Sequence, residues 1–407
     1  MFRTVSAVAA ACLCIGVPAA ATGQTVLTLE STLVRAREQS GAVVVSRARV
    51  AEAEAALVDA SARFRDNPLI DVTGGPRSGD GQRGTDLELG LSQQFETGGQ
   101  RQSRVAVARA AIERQQAAVE HASRAAVFDA GSAFLEGLAA TERLQLAEEA
   151  DSVARDLLNA AERRYALGDI AAIEVNLARI ETARSASLLV AARAGLTAAA
   201  GALRAMLRLP AGEPIELRGS LDMAPPPVVG QLVASIDQRP EFLVLAAEVR
   251  EAEAQAQLGR ALRRPDVGFR ASYAREEGDT ILLGGLTVTL PAFQRGVGTL
   301  AAGLARASRA RLEAQVAREA AAAELRTAYD VYEQRAALAG ALQQDAVPGL
   351  VDNDLLARRS YDAGEMNLID LLLIRRDSLQ TRLTVIDRRL EAARSRLTVD
   401  FVAGVLR

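Results

Sequence analysis

The chain repeats itself. Ala161–Ala183 reads AERRYALGDIAAIEVNLARIETA, and Ala357–Leu379 reads ARRSYDAGEMNLIDLLLIRRDSL. Aligning Tyr165 with Tyr361 also aligns Gly168 with Gly364, Ile173 with Ile369, Glu174 with Asp370, Leu177 with Leu373 and Arg179 with Arg375. The offset of 196 residues is close to half of the 407-residue chain. Whatever this chain folds into must therefore be built twice. Each copy is a helical pattern, a break centred on Gly, and a second helical pattern. That predicts two helical hairpins, with Gly supplying a positive φ at each turn.

The N-terminus reads as a secretory signal. Arg3 precedes an apolar run, Val5–Val17, and Pro18-Ala19-Ala20-Ala21 offers a small-residue cleavage site. The run is too short for a membrane helix. Both cysteines, Cys12 and Cys14, fall inside it. Lipidation at Cys12 is disfavoured, because the preceding Ala9-Ala10-Ala11 lacks the Leu such signals carry. Cleavage after Ala21 leaves a mature chain without disulfide or thiol chemistry. No long uncharged apolar run follows, so no membrane helix is expected. A net charge of −3 argues against nucleic acid as a partner. The basic residues are all Arg, Ala is abundant, and aromatics make up 3%. Such a composition favours long, closely spaced helices over a thick core.

Along the chain, Leu27–Gln39 and Val43–Arg65 read as helices. Thr28 or Ser31 can cap the first, and Gly41 can break it. Asn67-Pro68 stops the second. The period then changes. In Asp86–Glu96, Leu87, Leu89, Leu91 and Phe95 alternate with Glu88, Gly90, Ser92, Gln94 and Glu96, which predicts a strand. Leu69–Gly75 is its partner across the polar turn Arg77–Gly84. Gly99–Leu167 has no Pro, and Val105, Ile112, Val119, Ala126, Ala133 and Ala140 recur every seven residues. A helix of that length spans on the order of 100 Å. Its return partner runs from about Ile170 to Leu209.

The expected organisation is a signal peptide over 1–21 and a first repeat over 22–212, with strands at about 69–75 and 86–96 and a tip at 165–170. A Pro-rich linker covers 213–227. The second repeat covers 228–407, with strands at about 266–274 and 281–291 and a tip at 361–366. Pro348 interrupts the second long helix, so a kink or two stacked helices are expected there.

Two strands per half cannot close a barrel. Yet one face of the clearest strand is Leu and Phe while the other is polar, the alternation of a membrane barrel. Open edges are not tolerated in lipid, so the chain must oligomerise. Three copies would supply twelve strands. The rival reading is a soluble periplasmic coiled-coil adaptor or structural protein. The duplication and the lipid-type alternation tell against it.

The whole mature length resembles the TolC-type outer-membrane efflux family. The resemblance rests on the duplicated helix–strand–strand–hairpin order and on the tip pattern Arg-Tyr-x-x-Gly with an acidic residue six positions on. Arg164, Tyr165, Gly168 and Glu174 match it. Tyr361, Gly364 and Asp370 match the second copy, with Ser360 in place of Arg. The segments QQFETGGQRQSR (Gln93–Arg104) and LTVTLPAFQRGVG (Leu286–Gly298) are similar to the heavy-metal branch, the cobalt–zinc–cadmium resistance ducts. The resemblance implies a mainly α fold with a membrane β-barrel. It implies a homotrimer whose twelve-stranded barrel continues into a periplasmic α-barrel. It further implies a passive exit duct that docks a periplasmic adaptor (membrane fusion) protein and an inner-membrane RND-type transporter and exports heavy-metal cations or, alternatively, drugs.

No catalytic constellation stands out, so no enzyme and no cofactor are expected. His121 is the sole His and sits on a polar helix face. No nucleotide motif and no soft metal-ligand cluster is present. Glu174 and Asp370 lie just inside the return helices. They complement the helix dipole, and as a ring at the periplasmic aperture they would favour cations. Arg164, Tyr165, Gly168, Tyr361 and Gly364 form the tips expected to meet the adaptor.

Overall fold

The computed structural model describes residues 25–79, 82–276, 279–293 and 295–406. The signal-peptide reading and both cysteines fall outside them. Strand β1 (Thr25–Leu27) leads into helix α1 (Leu29–Gln39). Thr28 caps it, accepting from Ser31 N at 3.2 Å, while Ser31 Oγ accepts from Thr28 N at 2.9 Å. Ser40 caps α2 (Gly41–Ser61), so Gly41 begins a helix rather than breaking one. This helix stops four residues short of the expected Arg65.

Strands β2 (Leu69–Gly79) and β3 (Gln82–Phe95) follow, longer than expected and eating into the polar turn. The long helix α3 (Gln100–Ala166) has 67 residues without interruption. It returns through α4 (Ala172–Met206). Helix α4 is long and apolar enough, by length and composition, to cross a membrane, contrary to the expectation that no such helix follows the signal. It is nonetheless tied alongside α3. Arg179 bonds Glu162 at 2.9 Å, Thr182 Oγ1 donates to Ala154 O at 3.2 Å, and Arg193 pairs with Glu148 at 3.6 Å.

The second half opens with β4 (Ile215–Leu217) and the short α5 (Val229–Val233), followed by α6 (Pro240–Ala261). Then come β5 (Asp266–Glu276), β6 (Asp279–Thr289), α7 (Val297–Ala341), α8 (Val347–Asp362) and α9 (Leu368–Ala403). A π-helical segment, Leu342–Ala346, joins α7 to α8. The expected Pro kink thus takes this form. Pro348 offers no N–H and crowds the carbonyl four residues back, and a wider turn relieves both problems.

The linker is not a bare connector. Strand β4 pairs in parallel with β1, and Asp222 is bonded by Arg389 at 2.9 and 3.0 Å. Arg389 also reaches Glu142 at 2.8 Å. The hydrogen bond from Arg389 holds the Asp222 carboxyl below the usual carboxylate range. Here, midway along α3, lies the main core of Phe134, Leu135, Leu203, Leu207, Leu221 and Leu397. The expected heptad seam is only part of this. Ala140 is buried, but Val105, Ile112, Val119, Ala126 and Ala133 are half-exposed. The fully buried face of α3 follows Ser123, Val127, Ala130, Phe134 and Leu138, where other elements of the same chain close over it. Near the sheet, α6 and α7 approach backbone to backbone. A Cβ on Gly303 would stand 2.6 Å from Ala256 N.

Candidate functional site

Two regions could carry function: the sheet and the hairpin tips. The sheet is antiparallel, in the order β2-β3-β5-β6. Its register places Val72, Leu89, Tyr273 and Leu282 in one cross-strand row. The next row holds Ile70, Leu91 and Ala271, and towards the helices come Phe269 with Leu286, then Phe95 with Val267 and Val288. Directly opposed residues share a face, so an apolar face runs across all four strands. Its large side chains are exposed, Leu282 by 78% and Leu286 by 77%.

The other face is polar. Arg270 bonds Asp71 at 3.1 Å and lies 3.6 Å from Glu88, and Gln94 donates to Thr289 Oγ1 at 2.7 Å. Asp71 lies over Gly90, where a Cβ would come within 2.3 Å of the carboxylate. Leu69, Ile281 and Leu283, on the two outer strands, are apolar exceptions. Sequence alone exposed this alternation in β3. The way it propagates sideways depends on a β3–β5 pairing between residues far apart in the chain.

At the tips, each first helix ends in the same cap. Gly168 has φ +83° and Gly364 φ +78°. Asp169 N donates to Arg164 O and Glu365 N to Ser360 O, each at 2.9 Å, while Gly168 N and Gly364 N donate to Tyr165 O and Tyr361 O. This is the Schellman arrangement, with Gly in the left-handed position. Glu174 and Asp370 occupy equivalent third positions in α4 and α9. Glu174 is half-buried and Asp370 exposed. Asp370 is the better anchored of the two. Its N–H donates to Asn367 Oδ1 at 2.8 Å, and Asn367 Nδ2 donates to its carboxylate at 2.9 Å. The sequence reading missed Asn367, although its spacing before Asp370 is a capping signal. No group of three or more His, Cys, Asp or Glu suited to a metal occurs among the described residues.

The two tip tyrosines do different things. Tyr165 is half-exposed, whereas Tyr361 is buried at 3% among Leu157, Val175, Leu368 and Leu371. Arg164, from the other hairpin, lies over the Tyr361 ring at 5.3 Å. Tyr361 therefore binds the hairpins to each other, and the exposed apolar tip surface is Tyr165, Leu167, Ile173, Ile369 and Leu373. Just above, Arg382 bonds Asp354 of α8 at 3.1 Å and lies 3.5 Å from Glu149 of α3.

A sheet with an apolar outer face, continuous with helical hairpins about 100 Å long, defines a membrane duct that projects into an aqueous compartment. The outer membrane efflux protein family matches residues 32–207. The cobalt-zinc-cadmium resistance protein CzcC of Cupriavidus metallidurans is 28% identical over 316 residues, covering 76% of this chain and 75% of that protein. The nickel-cobalt-cadmium resistance protein NccC of Alcaligenes xylosoxydans xylosoxydans is 29% identical over 299 residues, covering 70% and 66%. The Campylobacter jejuni CmeC outer membrane channel superposes with a TM-score of 0.74 at 16% identity, over 93% of this chain and 85% of that one, a likeness of fold. The chain resembles the TolC-type outer membrane efflux proteins, matching the family over residues 32–207 and the two heavy-metal resistance proteins over most of its length. It is a protein of the bacterial outer membrane that extends into the periplasm.

Proposed function

We propose that this chain is the passive exit duct of a tripartite efflux system and not an enzyme. One observation carries the reading: an apolar face spans all four strands, yet β2 and β6 remain edges within the protomer. Lipid does not tolerate such edges. Three copies, each edge β6 meeting a neighbour's β2, would close a twelve-stranded barrel around the polar face. The exposed Ile180 and Val190 of α4 support the same assembly, since neighbouring hairpins would cover them. The duct's tips would engage a periplasmic adaptor and an inner-membrane RND-type pump.

Heavy-metal cations are the proposed cargo, supported by the resistance phenotypes named for the two relatives. Glu174 and Asp370 would ring the periplasmic aperture and favour cations. A drug-exporting duct of the same architecture is the second reading. The test has two stages. Purified protein in a planar bilayer should be trimeric and conduct; a non-conducting monomer would overturn the duct. A deletion strain should then become sensitive to cobalt, zinc or cadmium and accumulate the ion. Sensitivity to dyes and drugs instead would move the cargo to the second reading.

A further inference from the structure

The four crossings between sheet and helices lie at one level. Residues 62–68 enter β2, 96–99 leave β3, 262–265 enter β5 and 290–293 with 295–296 leave β6; the register aligns the ends of β3, β5 and β6, and the Phe64–Phe95 contact brings the first crossing to the same level. The crossings are rich in arginine: Arg63, Arg65, Arg263, Arg264 and Arg295, with Arg101 in the first turn of α3. All six are exposed. Against them stand three carboxylates: Asp66 is exposed, Asp266 is half-buried and bonded by Gln100 at 2.8 Å, and Glu96 is largely buried and paired with Arg104.

The same level carries exposed apolar rings. Phe64 is half-exposed and meets Phe95 edge-on, with centroids 5.6 Å apart, where Phe95 ends the apolar face. The Arg63 guanidinium lies 5.8 Å from the Phe64 ring. Phe293 is 99% exposed and Leu290 71%. From sheet to helices the order is thus aliphatic face, aromatic ring, guanidinium. That is the order of acyl chain, interface and headgroup in a lipid leaflet.

The dimensions agree. Phe95 to Leu87 is eight residues of strand, about 26 Å at ~3.3 Å per residue and roughly 20 Å of height at a tilt near 40°. The arginines therefore stand at the phosphate level of the helix-side leaflet. Three of them are held in place, Arg264 by donating Nη1 to Gly98 O at 3.3 Å. Arg101 donates Nε and Nη2 to Ser61 O at 3.0 and 2.8 Å, and Arg295 Nε donates to Ala292 O at 3.0 Å. Both Nη groups of Arg295 are left without a partner among the described residues.

We infer that this level is a binding belt for anionic phospholipid headgroups of the periplasmic leaflet. Guanidinium groups engage the phosphate, and Phe64 and Phe293 seat beside the glycerol and upper acyl chain. The inference rests on the outer-membrane location and not on the proposed cargo or partners.

The experiment is native mass spectrometry of the full-length assembled protein, with phosphatidylglycerol, phosphatidylcholine or lipid A added to the micelle. The comparison variant is Arg63→Gln/Arg65→Gln/Arg295→Gln, with oligomer mass as the folding control. Phosphatidylglycerol should be retained in preference to phosphatidylcholine. The preference should weaken by about fivefold per arginine removed and should fall as salt rises. Arg→Lys at the same positions should keep most of it. Equal retention of the two phospholipids, an unchanged preference in the Gln variant, or selective retention of lipid A alone would each overturn the inference. If the Gln variant does not assemble, the wild-type comparison between the two phospholipids decides.

Discussion

A depth series of arginine substitutions along β3 tests the sheet. The apolar face presents Phe95, Gln93, Leu91, Leu89 and Leu87 in turn, and the Leu87 row already contains Arg275. Leu91 is therefore nearest the middle of the band. Leu89 lies about 7 Å further along the strand, or roughly 5 Å higher at a ~40° tilt, and Leu87 about 10 Å higher. An arginine on the lipid face costs about 2–4 kcal/mol at mid-bilayer and about 0–1 near an interface. Leu91→Arg should thus be the most damaging, Leu89→Arg next at about 2–3 kcal/mol per copy, and Leu87→Arg nearly tolerated. Every copy in the assembly carries the cost. The control is Glu88→Gln on the opposite face. Its neighbour Arg270 lies 3.6 Å away and both side chains are partly exposed, so the loss should stay below about 1 kcal/mol. The readouts are oligomer abundance in the outer-membrane fraction and urea unfolding in liposomes. Equal damage from Glu88→Gln and Leu89→Arg, or a series that worsens towards Leu87, would refute the face and depth assignment.

Four further outcomes are expected. Gly364→Val meets no steric neighbour but forces a β-branched residue to φ +78°, at a cost of roughly 1–3 kcal/mol; resistance should fall while oligomer abundance holds, and unimpaired resistance would count against tip docking. Asp370→Asn should lower cation selectivity in planar bilayers more than Glu174→Gln, because Asn367 fixes Asp370; the effect should shrink with added salt, and unchanged selectivity would leave both as dipole partners. Arg164→Ala removes the cation over Tyr361, worth about 0.5–2 kcal/mol, and should speed hydrogen exchange at both tips, whereas exchange at wild-type rates would show the stacking to be idle. Asp222→Asn should lose about 0.2–1 kcal/mol near neutral pH. The folded pKa of Asp222 is depressed, so its contribution is fully present above the unfolded value near 3.9 and vanishes as pH falls through the folded value; the gap between wild-type and variant melting curves should be constant above about pH 5, begin to narrow below about pH 4 and close only beneath the depressed folded value.

Legibility in the sequence followed the range of the cause. The tip glycines were readable because a positive φ is a local demand, and β3 was readable because Leu87, Leu89 and Leu91 alternate on their own. Strand β1 was not. It has three residues, and its partner β4 lies 190 positions away at Ile215. Tyr165 and Tyr361 carry one motif but opposite exposures, because the ring of Tyr361 is covered by an arginine from the other repeat. The seam in α3 misled for the same reason: a heptad states which residues could face a partner, and the middle of the helix is packed by other partners on a different face. The leucines that follow Asp370 are not what fixes it. Leu371 is indeed buried, but Leu373 is 65% exposed, and the fixing contact is Asn367.

If the duct closes from several copies as proposed, the two free edges of the sheet also govern how it is made. A freshly exported protomer crosses the periplasm with Leu282, Leu286 and Leu290 in water and with unpaired backbone at β2 and β6. Such a species is adhesive, and its partners in error are any other exposed strands. It must be escorted, or consumed quickly by encounter with its own kind. Production of finished ducts then rises more steeply than protomer supply, and surplus protomers become substrates for proteases. A protomer able to pair but unable to sit in lipid, such as Leu91→Arg, would capture normal copies and carry them into the same fate. Synthesised beside the wild type, it would be dominant.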